Sequence, residues 1–232
     1  MPLKNLYLNK GNTTLDQKNI FCAWNGGHDC GLSLYHAKKS NQVKCLVTPL
    51  VEMGSAYRTN ICSPSLLRAQ ADLLKIPLLI FNTSSEELEE NYKQTMANFK
   101  KYKIEGGVFP FINNETQKNS IENICHSQGI EAHMPLWERN KEGLLSEFLE
   151  LGFKAKIISV NEKYLTRDFL SKDLDKDIIE EFRNRKIDLF GENGEFQTIL
   201  YEAPYFSQRL QLKDGDINLK NGYWTLDITN QN

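Results

Sequence analysis

Apolar positions along this chain recur with two different periods, and the order in which the periods alternate is the first guide to its fold. The run Asn19–Trp24 is apolar and β-prone, ends in Gly26 and Gly27, and gives way at once to a helical pattern at Leu32, Leu34, Tyr35, Ala37 and Lys38. A β-rich run at Val43–Thr48 follows, then a stretch at 49–62 without periodicity that reads as a mobile loop. Ser63 and Pro64 open a helix through Leu66, Leu67, Ala69, Ala71 and Leu74, with an N-cap hydroxyl and proline at the first helical position. Pro77–Phe81 reads as the third strand. Ser84 or Ser85 caps the next helix, which runs through Leu88, Tyr92, Met96 and Phe99, with Glu86 and Glu87 at its positive end. Strands at Gly107–Phe111 and Glu131–Leu136 flank a helix at Thr116–Ser127 that Gly129 stops. Helix Lys141–Leu151 ends at Gly152, before a sixth strand at Ala155–Val160.

This alternation predicts an α/β fold with a mainly parallel, Rossmann-like sheet covered on both faces. Ligands of such sheets bind beyond the carboxyl ends of the strands, where the Gly26-Gly27 turn falls. The final third breaks the pattern with a helix at Leu174–Arg183, a glycine- and carboxylate-bearing loop at Asp188–Thr198, and strand-like pieces at Thr198–Tyr201, Arg209–Leu212 and Gly222–Ile228. The division is therefore residues 1–18 as a tail or one added strand, 19–136 as a nucleotide-binding domain, and 137–232 as a smaller C-terminal α+β lobe for substrate.

Composition narrows the setting. With 232 residues, 40% hydrophobic and 25% charged, the chain has the makeup of an ordinary globular protein with ample core. A net charge of -2 gives no global reason to expect a nucleic-acid partner. No run approaches the roughly 20 apolar residues that span a bilayer, so no membrane association is expected. The opening Met1–Leu6 lacks a long apolar stretch, and a cytoplasmic location is expected. The five cysteines, an odd number with no C-x-x-C pair, read as reduced thiols, with Cys22 and Cys45 as core residues.

Candidate chemistry concentrates in three places. A strand that turns into a helix through Asn25-Gly26-Gly27-His28-Asp29-Cys30 offers backbone N–H groups and a positive helix end to a phosphate. A plain glycine turn has the same local sequence, but the position after the first strand favours phosphate. Gly191-Glu192-Asn193-Gly194-Glu195 suits either a surface turn or a bent loop holding two carboxylates towards a metal or an amine. Trp137-Glu138-Arg139 offers an aromatic plate and a guanidinium, or a packed tryptophan with a surface arginine. His28, next to bound phosphate, could stabilise negative charge through a partly protonated imidazole; the alternative is a solvent-facing loop residue.

Taken together these stretches resemble the diphthine–ammonia ligase family, a PP-loop-bearing branch of the N-type ATP pyrophosphatases with an adenine nucleotide alpha hydrolase-like fold. The resemblance covers about residues 19–228. It rests on the loop at 25–30, Leu66–Pro77, Gly106–Phe109, Pro135–Trp137 with Arg139, Glu147–Phe153 and above all Gly191–Thr198. It implies ATP and magnesium as cofactors, ammonia as co-substrate, and a carboxylate acceptor, either diphthine on elongation factor 2 or a small molecule. ATP adenylates the carboxylate, pyrophosphate leaves, and ammonia displaces AMP. A homodimer is compatible with it. By the same resemblance Trp24, Asn25, Gly26, Gly27, Asp29, Cys30 and Thr48 hold the nucleotide, with Asp29 on magnesium. Asp29, His28, Glu192 and Glu195 act in catalysis, and Trp137, Arg139, Asn193 and Thr198 bind the acceptor.

The family loop reads S-G-G-K-D-S, whereas this chain keeps only Gly26, Gly27 and Asp29 of it. Pro110-Phe111-Ile112 stands where the family has G-D-[IV]. These departures admit two other readings: a degenerate adenine-nucleotide-binding protein, or a PP-loop adenylating enzyme with a different acceptor.

Overall fold

The computed structural model of the chain describes residues 17–53, 56–58 and 62–231. The tail or strand expected at 1–18 lies almost wholly outside the described residues.

Five parallel strands form the main sheet. They are β1 (Asn19–Ala23), β2 (Gln42–Met53), β4 (Leu78–Thr83), β5 (Gly106–Val108) and β6 (Glu131–His133), in the spatial order β4-β2-β1-β5-β6. A short β3 (Ala56–Arg58) turns back antiparallel on the end of β2. The order reverses direction between β1 and β5, so the crevice at their carboxyl ends is a topological switch point. From Ile20 to Ala23 β1 is apolar and buried, because both sheet faces are covered. Ile20 and Cys22 pack with α1 (His28–Lys38) and α2 (Pro64–Leu74); Phe21 and Ala23 pack with α3 (Leu88–Phe99) and α4 (Glu115–Ser127). Ser63 caps α2 as its sequence indicated, accepting from the Leu66 N–H at 3.4 Å.

The C-terminal lobe holds α5 (Lys141–Glu150), β7 (Lys154–Asn161), α6 (Lys176–Arg185), β8 (Phe196–Glu202), β9 (Leu212–Lys220) and β10 (Tyr223–Asn230), with a four-stranded antiparallel sheet in the order β8-β7-β10-β9. α1 packs on β8 and α2 on β10. The apolar core of one face of the main sheet runs without a break into this lobe, through Leu34, Phe148, Phe153, Phe182 and Phe196. Among the described residues no helix is long and apolar enough to cross a membrane.

Three expectations change. The stretch at 49–62 is not a loop at its start: β2 continues to Met53 and folds back into β3, because backbone pairing to β4 and β3 extends the strand past the end of its apolar pattern. Ala155–Val160 does not extend the parallel sheet. It lies in β7, which pairs antiparallel with β8 and β10. The piece expected at Arg209–Leu212 begins only at Leu212 and runs on to Lys220 as an edge strand, whose exposure removes the apolar signal.

Candidate active site

A cleft of about 670 Å³ opens at the switch point, between the ends of β1, β2 and β5 on one side and the 190–198 segment on the other. Trp24, Asn25, Gly27, His28, Asp29 and Cys30 line it, with Pro49 and Val51 of β2, Leu88, Glu89 and Tyr92 of α3, Phe109–Phe111 past β5, and Thr116, Gln117 and Ser120 of α4. The charged groups of this wall are Asp29, Glu89 and Glu192, and among the described lining residues there is no lysine or arginine.

The glycine turn is held from behind. Gly26 has φ +87°, a conformation that side chains resist, and a Cβ there would sit 2.8 Å from Gln70 Oε1. Its carbonyl accepts from Leu200 N–H at 2.8 Å and from Gln70 Nε2 at 3.1 Å. Gln70, fully buried, also accepts from the Trp24 indole at 2.9 Å and donates to Leu200 O at 2.7 Å. Thr48 Oγ1 donates to Trp24 O at 2.5 Å, so Thr48 fixes the turn from below and does not line the cleft. Asn25 Oδ1 accepts from Gly27 N–H at 2.7 Å, an Asx turn that aims the start of α1 into the cleft.

Asp29 lies at that helix start. Burial pushes its carboxyl up to about 6; the nearby N–H groups of Cys30 and of Asp29 itself and the Asn25 side chain favour the charged form against this, and the Glu192 charge adds to the rise. Cys30 is buried, and burial raises its thiol well above the usual range, so it is a neutral neighbour of the turn.

His28 departs from its expected charge. Its ring is 3% exposed, stacked on Phe190 at 4.9 Å and Phe196 at 6.1 Å with Phe148 edge-on at 6.0 Å. Its N–H donates to Thr198 Oγ1 at 3.2 Å, and Nδ1 lies 2.8 Å from the same oxygen. Burial lowers the imidazole to about 3, so the ring is neutral near pH 7 and lends no positive charge to a phosphate. The sequence could not show that this loop position faces an aromatic box supplied from residues 148, 190 and 196.

The Gly191–Glu195 loop divides its two carboxylates. Glu192 lines the cleft: Oε1 accepts from Ile112 N–H at 3.0 Å and Asn113 N–H at 3.1 Å, and Oε2 pairs with Lys141 at 2.7 Å. A carboxylate therefore returns to the 110–113 segment from the other lobe. Lys141 also binds Asp188, whose Oδ1 accepts from Phe190 N–H at 2.9 Å. Glu195 is buried and turned into its own loop, accepting from the Asn193 backbone and side chain at 3.1 and 3.0 Å, and neither residue lines the cleft. Trp137 and Arg139 also lie away from it. Lys118 sits over the Trp137 ring at 5.0 Å, and Arg139 binds Glu147 and His36, both at 2.8 Å, clamping the connection between the lobes.

Gln70, Lys141, Asp188 and Gln197 were not singled out from the sequence. Gln70 sits at a position of the α2 pattern that reads as core, and a polar residue there was the available signal. Asp188 and Gln197 lie in the loop and motif stretch at 188–198, which was the available signal for them; Lys141 had none, since its contacts with Asp188 and Glu192 are long-range.

A glycine turn at the switch point of a five-stranded parallel sheet, with a smaller antiparallel lobe beside it, defines an α/β protein of the Rossmann-like class. Residues 18–132 match the diphthamide synthase N-terminal domain and residues 140–231 the diphthamide synthase C-terminal domain, and the chain belongs to that family. It is similar to the diphthine–ammonia ligase of Schizosaccharomyces pombe (33% identity, over 44% of this chain and 17% of the relative). It is similar too to that of Homo sapiens (28%, over 57% and 51%) and of Saccharomyces cerevisiae (23%, over 78% and 32%). The matches span about half the length of the human relative and less of the two yeast proteins. A solved structure of a predicted subunit of tRNA methyltransferase from Methanocaldococcus jannaschii overlays with TM-score 0.44 at 13% identity, covering 80% of this chain and 97% of that one; nothing below rests on it.

Proposed function

We propose that this chain is an ATP-dependent amide-forming ligase that binds ATP in the switch-point cleft, adenylates a carboxylate and passes the acyl group to ammonia. The observation that carries the nucleotide site is the Gly26-Gly27 turn, which leads from β1 into α1 beside the cleft at the switch point of the sheet. The relatives' shared name, diphthine–ammonia ligase, supports the reaction class and makes diphthine on elongation factor 2 the first acceptor to try, ahead of a small carboxylate.

The cleft fits a nucleotide that brings its own counter-charge. Its described wall carries three carboxylates and no cationic side chain, and no group of three or more histidine, cysteine or acidic residues among those described could hold a metal unaided. That donor set suits magnesium, which keeps several waters and needs one or two carboxylates plus phosphate oxygens. Asp29 would be its protein ligand, and when bound the ion would neutralise the phosphate charge. The Gly26-Gly27 turn would bring the phosphates to the start of α1, whose positive end favours them. Tyr92, Phe109, Phe111 and Ile121 give the apolar wall for the base and exclude water.

In the first step an acceptor carboxylate oxygen bonds to the α-phosphorus as the bond to pyrophosphate breaks. In the second, the nitrogen lone pair bonds to the acyl carbon, the bond to AMP breaks, and one proton is released. Glu192 holds Ile112 and Asn113 against the 190–198 wall, which keeps the cleft closed around these steps.

The deciding experiment incubates the protein with ATP, magnesium and ammonium, with and without acceptor, and measures AMP and pyrophosphate. AMP formation that depends on acceptor supports the ligase; ATP binding without AMP under every acceptor refutes it.

A further inference from the structure

The antiparallel sheet of the C-terminal lobe ends at β9, and no described strand pairs with its outer edge. Every residue of its last stretch, Asp216-Ile217-Asn218-Leu219-Lys220, is exposed. Leu219 (47%) and Ile217 (45%) are the two most exposed large aliphatic side chains among the described residues. They stand beside Trp224 and Leu226 of β10, on the face that packs into the core, and carry its apolar row out to the rim. Asp216 and Lys220 lie on the other face by strand alternation, and no ion pair among the described residues engages either.

The backbone of this edge has a fixed phase. Asn221 and Gly222 have φ of +52° and +80°, the two-residue turn that makes Lys220 and Tyr223 a hydrogen-bonded pair. Pairing alternates from there, so Asn218 bonds β10 while Ile217 and Leu219 turn their N–H and C=O groups to the open edge. On the inner side Asn218 O also accepts from Thr225 Oγ1 at 3.4 Å. Past Ile217 a bulge sets Gly215 and Asp216 against Asp227 and ends the regular stretch. Bulges and charges of this kind keep an edge from pairing at random, and they leave 216–220 open to one well-matched strand.

We propose that this edge binds a second copy of the chain, β9 antiparallel to β9 about a two-fold axis at Asn218. That register sets Ile217 of each copy opposite Leu219 of the other, and Asp216 opposite Lys220. The outward N–H and C=O groups then meet as hydrogen-bonded pairs, apolar side chains face apolar ones, and each charge faces its opposite. Neighbouring registers lose this match. A shift of two residues one way puts Leu219 against Gly215 and Lys220 against Asp214, which Lys156 and Ser171 already hold. The other way puts Lys220 against Asn218 and leaves Asp216 without a charged partner. A shift of one residue puts the backbone groups out of phase. The pairing closes on itself, since each copy covers the other's edge and joins two four-stranded sheets into one. Residues 216–220 lie outside the cleft, so the interface stands apart from the nucleotide reading above.

Sedimentation velocity of the whole chain from about 10 to 500 μM tests this, because a stretch as short as 216–220 makes a small and weak interface. A monomer–dimer equilibrium is expected, which Asp216→Lys and Lys220→Asp should each weaken about tenfold, since each sets like charges face to face twice. An equimolar mixture of the two variants should recover the dimer as a heterodimer, the introduced charges then facing their opposites. Asp216→Lys with Lys220→Asp in one chain should dimerise like the parent, which also shows that the exchanged positions do not disturb folding. A monomer throughout the range overturns the proposal and leaves the edge to another chain or to none. So does a dimer that Asp216→Lys leaves unchanged, which places the contact in another register or on another face. A dimer that neither the mixture nor the double variant restores overturns it as well.

Discussion

Lys141→Met should loosen the seam between the lobes by an amount the structure lets us work out. Lys141 pairs with Asp188 and, at 2.7 Å, with Glu192; the three side chains are 18%, 16% and 18% exposed. Removing one member of a buried ion pair leaves its partners as uncompensated charges, at about 3–5 kcal/mol for full burial. The remaining exposure discounts that to about 2–3 kcal/mol. Methionine keeps most of the volume, so packing adds little. Urea unfolding near pH 7 should report this loss, and Lys141→Met with Glu192→Gln should recover part of it by removing one stranded charge. The pH dependence has a definite sign. Burial would lower the Lys141 ammonium, but its bonds to Asp188 and Glu192 outweigh this and hold it above the usual range. Its contribution is therefore fully present below its unfolded value and lost as pH rises through the folded one. Burial would raise the Asp188 carboxyl, but Lys141 and the Phe190 N–H hold it below the usual range. That contribution is present above the unfolded value and lost as pH falls through the folded one. A Lys141→Met protein within about 0.5 kcal/mol of the parent would refute the reasoning, since surface changes away from such networks fall in that range.

Gly26→Ala should cost about 2 kcal/mol, from the left-handed backbone at φ +87° and a Cβ 2.8 Å from Gln70 Oε1; thermal and urea unfolding would show it, and an unchanged midpoint would mean that the turn is not held as described. His28 binds a proton more weakly folded (about 3) than unfolded (6.5), so stability should fall as pH drops below 6.5, by about 2 kcal/mol between pH 7 and pH 5, and His28→Phe should flatten that limb of the stability curve. Asp29→Asn should weaken magnesium–ATP binding about tenfold or more by calorimetry and remove its strengthening as pH rises through about 6, where the parent carboxyl ionises; an affinity that Asp29→Asn leaves unchanged would remove Asp29 from the nucleotide site.

Local sequence was enough wherever a period and a punctuation mark coincided. The apolar β1 run into Gly26 and Gly27 fixed a strand, a turn and a helix start, because buried parallel strands are apolar on both faces and only glycine takes the backbone at position 26 without strain. Ser63-Pro64 and the α2 pattern carry their own cap and face and were legible for the same reason, whereas α3 starts at Leu88 after Glu87 and not directly at the Ser84 or Ser85 expected to cap it. What the sequence could not decide was direction across space. Nothing near His28 says that its ring turns inward among phenylalanines more than a hundred residues away, nor that Lys141, Asp188 and Glu192 close a seam on the amides of Ile112 and Asn113. Trp137 and Arg139 read as a recognition pair or as a packed tryptophan with a surface arginine; they lie outside the cleft, Trp137 against Lys118 and Arg139 on Glu147 and His36. Propensity and period act over a few residues. Burial, pairing and charge at the switch point arise only when β8 docks against the glycine turn, and that docking sets which loop residues face the cleft.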